Sequence, residues 1–140
     1  MKFLRKSPTR VNIFQDKNME NTKSFTKYED KKLRLALIGD DLLKCSEISR
    51  AEGLLAMQKA APQLKGGSRF LTFAISYIIN LFTERTEFED SFALLENHVN
   101  SLPAEEQTEG RMVAAALKKI FAGESPENIQ ETVSYYQTLY

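Results

Sequence analysis

The stretch Ser68-Arg69-Phe70-Leu71-Thr72-Phe73-Ala74-Ile75-Ser76-Tyr77-Ile78-Ile79-Asn80-Leu81-Phe82 is apolar nearly all the way round a helical period. A helix of this kind has one narrow polar face for water, so it is expected at the centre of a core with its neighbours closed over it. The uncharged run from Phe70 to Thr83 is 14 residues, short of the roughly 20 that a membrane-spanning helix needs. The reading is therefore a buried helix within a folded domain.

Outward from this segment the pattern stays helical. Before it, from about Tyr28 to Ala61, Leu35, Ile38, Leu42, Cys45 and Ile48 recur at three- and four-residue spacing. Gly39 and Gly53 interrupt that stripe, and a bend or break is expected near Gly39. Pro62, Gly66 and Gly67 end it. After the central segment, Thr86 and Glu89 have capping-box spacing ahead of the stripe Phe88, Phe92, Leu95 and Val99. A fourth helix is expected from about Pro103 to Ala122, with Gly123 as its left-handed stop. Ser125 caps a fifth, with Pro126 in its first position and Ile129, Val133 and Tyr136 on its stripe. No strand pattern competes. The expected fold is all-α, a long first helix packed with two helix hairpins, about five helices in all. The hairpins look duplicated: Arg69-Phe70-Leu71 parallels Arg111-Met112-Val113 at an offset of 42, and Phe88 and Phe92 parallel Ile129 and Val133 at 41.

The chain has 140 residues, enough for one domain with a core, and a formal net charge of zero. That zero hides an asymmetry. Residues 1–34 hold ten Lys and Arg against four acidic residues, and residues 35–140 hold nine against fifteen. Residues 1–25 read as a flexible basic tail, with Val11, Ile13 and Phe14 as a short docking patch, and residues 26–140 as a single helical domain. Lys2, Phe3, Leu4, Arg5 and Lys6 suit a weak membrane-surface contact. No apolar block follows them, so no secretory leader is expected. A specific nucleic-acid reader is not expected either. One cysteine and one histidine exclude a disulfide framework and a Cys/His metal cluster, and fit a cytoplasmic protein.

The residues that bear chemistry read as structural. Cys45 lies on an apolar stripe. His98 sits in the last turn of its helix, where the dipole favours it. Asp40 and Asp41, Glu89 and Asp90, and Glu105 and Glu106 are sequence neighbours pointing about 100° apart, so they form no paired-carboxylate site by themselves. Gly66-Gly67-Ser68-Arg69 reads as an interhelix loop rather than an anion cradle. Tyr135, Tyr136 and Tyr140 are expected to dock on the chain's own bundle. No catalytic residue, metal ligand or cofactor is assigned.

The segment Ser49-Arg50-Ala51-Glu52-Gly53-Leu54-Leu55-Ala56-Met57-Gln58-Lys59 resembles the start of the cytoplasmic region of the flagellar motor stator A-subunit family (MotA-like). The likeness continues through Phe70 to Asn80, Glu87-Phe88-Glu89 and Leu94-Leu95-Glu96-Asn97, covering roughly residues 45–100. Arg50 matches the family's arginine, whereas Gln58 stands where an acidic residue is usual. The channel-forming helices of that family have no counterpart here. The resemblance thus implies a motility-associated scaffold that docks to flagellar motor components rather than an ion-driven torque generator. It places partner contacts at Arg50, Glu52, Gln58 and Lys59, on the exposed face of the first helix. The alternatives are a ligand-binding protein or small enzyme with a pocket between the hairpins, a peripheral membrane-surface protein, and a homo-oligomer joined through the central helix.

Overall fold

The computed structural model describes residues 27–139. Residues 34–140 form one compact unit. The basic tail, its docking patch, the membrane-surface residues and Tyr140 all lie outside the described residues. The described residues form six α-helices: α1 (Lys27–Glu52), α2 (Leu54–Ala60), α3 (Arg69–Thr83), α4 (Phe88–Asn100), α5 (Gln107–Phe121) and α6 (Pro126–Gln137). Short 3-10 turns occupy Ala61–Gln63 and Ala104–Glu106, and the described residues contain no strand. None of these helices is long and apolar enough to cross a membrane.

The sixth helix arises because the expected first one breaks at Gly53, not near Gly39. Gly53 adopts φ +99°, a region that side chains other than hydrogen rarely enter, and it becomes the N-cap of α2. Gly39 instead sits in an unbroken helix. A Cβ there would come within 2.6 Å of both Val133 Cγ1 and Gln137 Nε2 on α6. That nitrogen donates to the Leu35 carbonyl at 3.2 Å. Gly39 is small because another helix passes over it.

Two helix ends are closed in the same way. At α3, Thr86 N–H donates to the Leu81 carbonyl and Arg85 N–H to that of Phe82, both at 2.9 Å, with Arg85 at φ +66°. At α5, Glu124 N–H reaches Lys119 and Gly123 N–H reaches Ile120, both at 3.0 Å, with Gly123 at φ +76°. This is the Schellman arrangement, and Gly123 fills the stop position its sequence predicts. The capping box expected at Thr86 does not form. Glu87 is the N-cap of α4 and makes no side-chain cap bond, because Thr86 already closes the end of α3. Ser125 does cap α6, accepting from Asn128 N–H at 3.3 Å. Arg85 is the one described non-glycine residue with positive φ, a conformation that costs an L-residue about 1 kcal/mol or more. We expect Arg85→Gly to raise stability by about 0.5–1 kcal/mol in urea unfolding; a loss would show that the Arg85 side chain holds the turn.

The duplicated hairpin is present in a different register. Equivalent points stand 38 residues apart (Arg69 to Gln107, Arg85 to Gly123, Phe88 to Pro126) rather than 42 or 41. The difference is about one helical turn, and a slip of one turn preserves the face on which apolar residues fall. In the 38-residue register buried side chains pair as Ile75 with Val113, Ile78 with Ala116, and Leu95 with Val133.

Helix α3 packs against α2, α4 and α5, and α5 against α3, α4 and α6. Leu71, Ala74, Ile75 and Ile78 of α3 are within about 1% of full burial, together with Leu42, Met57, Leu95, Met112 and Leu117 from other helices. The face this helix offers to solvent is nevertheless not wholly polar. Phe73 is 40% exposed, and Phe70 and Tyr77 are only half-buried.

Candidate functional site

The four contact residues taken from the resemblance do not share one exposed helix face. Arg50 and Glu52 end α1, whereas Gln58 and Lys59 lie on α2 beyond the Gly53 break. Arg50 Nη1 donates to the Glu124 carbonyl at 3.4 Å, placing a cation at the carbonyl end of α5. Gln58 is half-buried and its Nε2 donates to Ser76 Oγ at 3.0 Å, tying α2 to α3. Glu52 and Lys59 are exposed, as is Leu55, one turn before Lys59. Arg50 and Gln58 thus carry structural bonds, and Glu52 and Lys59 point to solvent.

The uncovered side of α3 assembles a ring cluster that spacing alone does not reveal. Phe70 and Phe73 lie 5.9 Å apart between centroids, and Phe73 and Tyr77 stack at 5.3 Å. From α4, His98 meets Phe73 edge-on at 5.1 Å and Tyr77 at 4.7 Å. Leu94, 39% exposed, lies one turn from His98 on the same helix. His98 therefore belongs to an apolar surface patch, with its ring held by two aromatic neighbours. Aromatic side chains bring large area and defined geometry to a contact. Phe70, Phe73 and Tyr77 were legible as apolar in the sequence; the missing signal was which of α3's four sides its neighbours leave bare.

A second feature lies between the hairpins. Helices α4 and α5 run antiparallel, as the approach of Glu89 to Lys118 (2.8 Å) at one end and of Val99 to Gly110 at the other requires. Along their seam Ala114 and Ala115 leave room for a cleft of about 270 Å³, with Glu96, Asn100, Arg111 and Tyr136 at its walls. It adjoins a wider hollow of about 440 Å³ over Phe88 and Phe92. Arg111 Nη1 donates to Gln107 Oε1 at 3.2 Å. Burial raises the Tyr136 phenol above its usual pKa; Tyr135 and Glu96 push it the same way, and Arg111 opposes them. Tyr136 docks on the bundle as its spacing predicts, whereas its neighbour Tyr135 is 60% exposed.

Two buried groups on α1 are structural. Cys45 is fully buried, and burial, aided by the nearby Asp41 charge, pushes its thiol up to about 12. A thiol that stays protonated at neutral pH is a poor nucleophile. Asp41 is 5% exposed, and its Oδ2 accepts from Gly66 N–H at 2.8 Å. The Gly66-Gly67 loop thus binds an internal carboxylate. Burial raises the Asp41 pKa, the Gly66 bond lowers it, and Asp40 adds to the rise. A carboxyl raised in the fold contributes stability below its unfolded value near 3.8, and that contribution is lost as pH climbs through the folded value. Asp41→Asn keeps the acceptor and removes the charge. We expect it to be more stable than the parent at pH 7, with the gap narrowing toward pH 4, in denaturant titrations at both pH values. A less stable variant at pH 7 would mean that the charge on Asp41 is itself stabilising.

No family model, no curated protein and no solved structure matches this chain.

Proposed function

We propose that this chain is a non-catalytic, cytoplasmic protein-binding component that docks its partner on the bare side of α3. One observation carries the reading: on a helix apolar nearly all round, Phe73 is 40% exposed and joins Tyr77 and His98 in a connected ring patch. Exposed apolar area of this kind costs solubility unless a partner covers it. The partner supplies apolar side chains to the rings; Glu52 and Lys59, exposed on α1 and α2, remain the contacts that the stator resemblance implies. The stator resemblance directs the search toward flagellar motor proteins.

The test is a photo-crosslinking side chain at position 73 in the native cell, with position 130, exposed on α6, as control. A discrete adduct from position 73 that disappears in Leu94→Glu supports docking on this face. A motor protein in that adduct supports the stator connection, and a second copy of the chain assigns the face to self-association. No adduct, or the same adducts from both positions, removes the proposal. Lys59→Glu serves as the charge test at the α2 end. Arg50→Glu is less clean, since Arg50 also bonds the Glu124 carbonyl.

A further inference from the structure

Helices α4 and α5 face each other through two charge pairs related by repetition. Glu89 and Glu96 lie seven residues apart on α4, and Arg111 and Lys118 seven residues apart on α5. Seven residues make two turns, so each helix presents its two charges on one face. Because the helices are antiparallel, Glu89 stands opposite Lys118 and Glu96 opposite Arg111. The first pair is closed, Lys118 Nζ to Glu89 Oε1 at 2.8 Å. The second is not. Among the described residues Glu96 has no ion-pair or hydrogen-bond partner, and Arg111 donates along its own helix to Gln107. The space between them is the cleft floored by Ala114 and Ala115, with Tyr136 entering from α6 and Asn100 at its lip.

We propose that this cleft binds an α-amino acid, its carboxylate on Arg111, its ammonium on Glu96 and its side chain over the alanine floor toward Tyr136. The charges select the class. An anion alone would gain Arg111 and meet the repulsion of Glu96, and a cation alone would meet the reverse. A zwitterion satisfies both and completes the ion pair that the protein leaves open. The guanidinium is suited to the role because its planar fork can hold a carboxylate through two bonds. Size agrees. About 270 Å³ lies just under the lower end of the roughly 300–1,000 Å³ typical of drug-sized ligands. The site is separate from the ring cluster on α3, so its fate does not depend on the docking proposal.

The test is a thermal-shift and calorimetric titration of the full chain with the free α-amino acids, each at about 10 mM, enough to fill a millimolar site. Acetate and methylamine serve as single-charge controls, and a dipeptide panel runs alongside. The expected result is a saturable midpoint rise and binding heat with at least one amino acid and neither control. Glu96→Gln and Arg111→Gln should each weaken that binding by about tenfold or more. Both side chains are exposed, so both variants should fold, and circular dichroism checks this. The proposal is overturned if no amino acid binds, if a single-charge control binds equally well, if only dipeptides bind, or if either variant binds as tightly as the parent.

Discussion

Ile75→Ala is expected to remove about 3–4 kcal/mol of stability, whereas Phe73→Ala, which deletes a larger apolar group two residues away, should remove about 1 kcal/mol. Ile75 is fully buried near the middle of α3, as its repeat partner Val113 is on α5. Truncation there loses the transfer energy of the side chain and leaves a cavity that close-packed neighbours cannot fill. Phe73 is 40% exposed, so much of its ring already meets water. In a domain of this size the first loss should lower the thermal midpoint by roughly 10 °C or more. Urea unfolding of both variants measures the contrast. Equal losses would mean that α3 is enclosed on all sides and that the ring patch is not available for contact.

Gly39→Val should destabilise the protein by about 2–3 kcal/mol, although helix propensity alone predicts a gain of a few tenths. The first added carbon would stand 2.6 Å from Val133 Cγ1. Val133 is itself 1% exposed and has nowhere to retreat. The Gln137 side chain that donates to the Leu35 carbonyl would also be displaced, and that interhelix bond lost. The sign of the change decides the question: a stabilised variant would show that α6 does not cross α1 at Gly39. Gly39→Ala should show the same sign with a smaller loss, because the crowding then outweighs a propensity gain of about 1 kcal/mol.

The fold is readable from residues in some places and not in others. Helix type follows from the 3.6-residue stripes, and the stops at Gly123 and Ser125-Pro126 from residues whose backbone preferences allow few alternatives. The roles of Gly39 and Gly53 were misassigned because a glycine has two uses, positive φ and close approach, and only the partner helix distinguishes them. Thr86 and Glu89 have the spacing of a capping box, yet the threonine backbone is committed to the preceding helix, with an arginine in the conformation usually given to glycine. The hairpin register slipped by a turn for a related reason: Gly123 marks its turn in the sequence and Arg85 does not.

The contact residues were less legible still. Arg50 and Gln58 look polar and free in sequence, but Arg50 donates to the Glu124 carbonyl and Gln58 to the Ser76 hydroxyl. The ring cluster and the Glu96–Arg111 cleft depend on tertiary facts. One is the meeting of α3 rings with His98 from α4; the other is the antiparallel alignment that sets two charges opposite each other across alanines.

Hydrogen exchange of the native chain tests most directly whether α3 is the hub on which the other helices close. Amides of residues 71–82 should be the slowest in the protein, exchanging through global unfolding and accelerating in Ile75→Ala by the factor that matches its stability loss. Exchange of those amides ahead of the α1 or α6 amides, or without response to Ile75→Ala, would contradict a buried central helix and, with it, the assignment of the remaining ring face to docking.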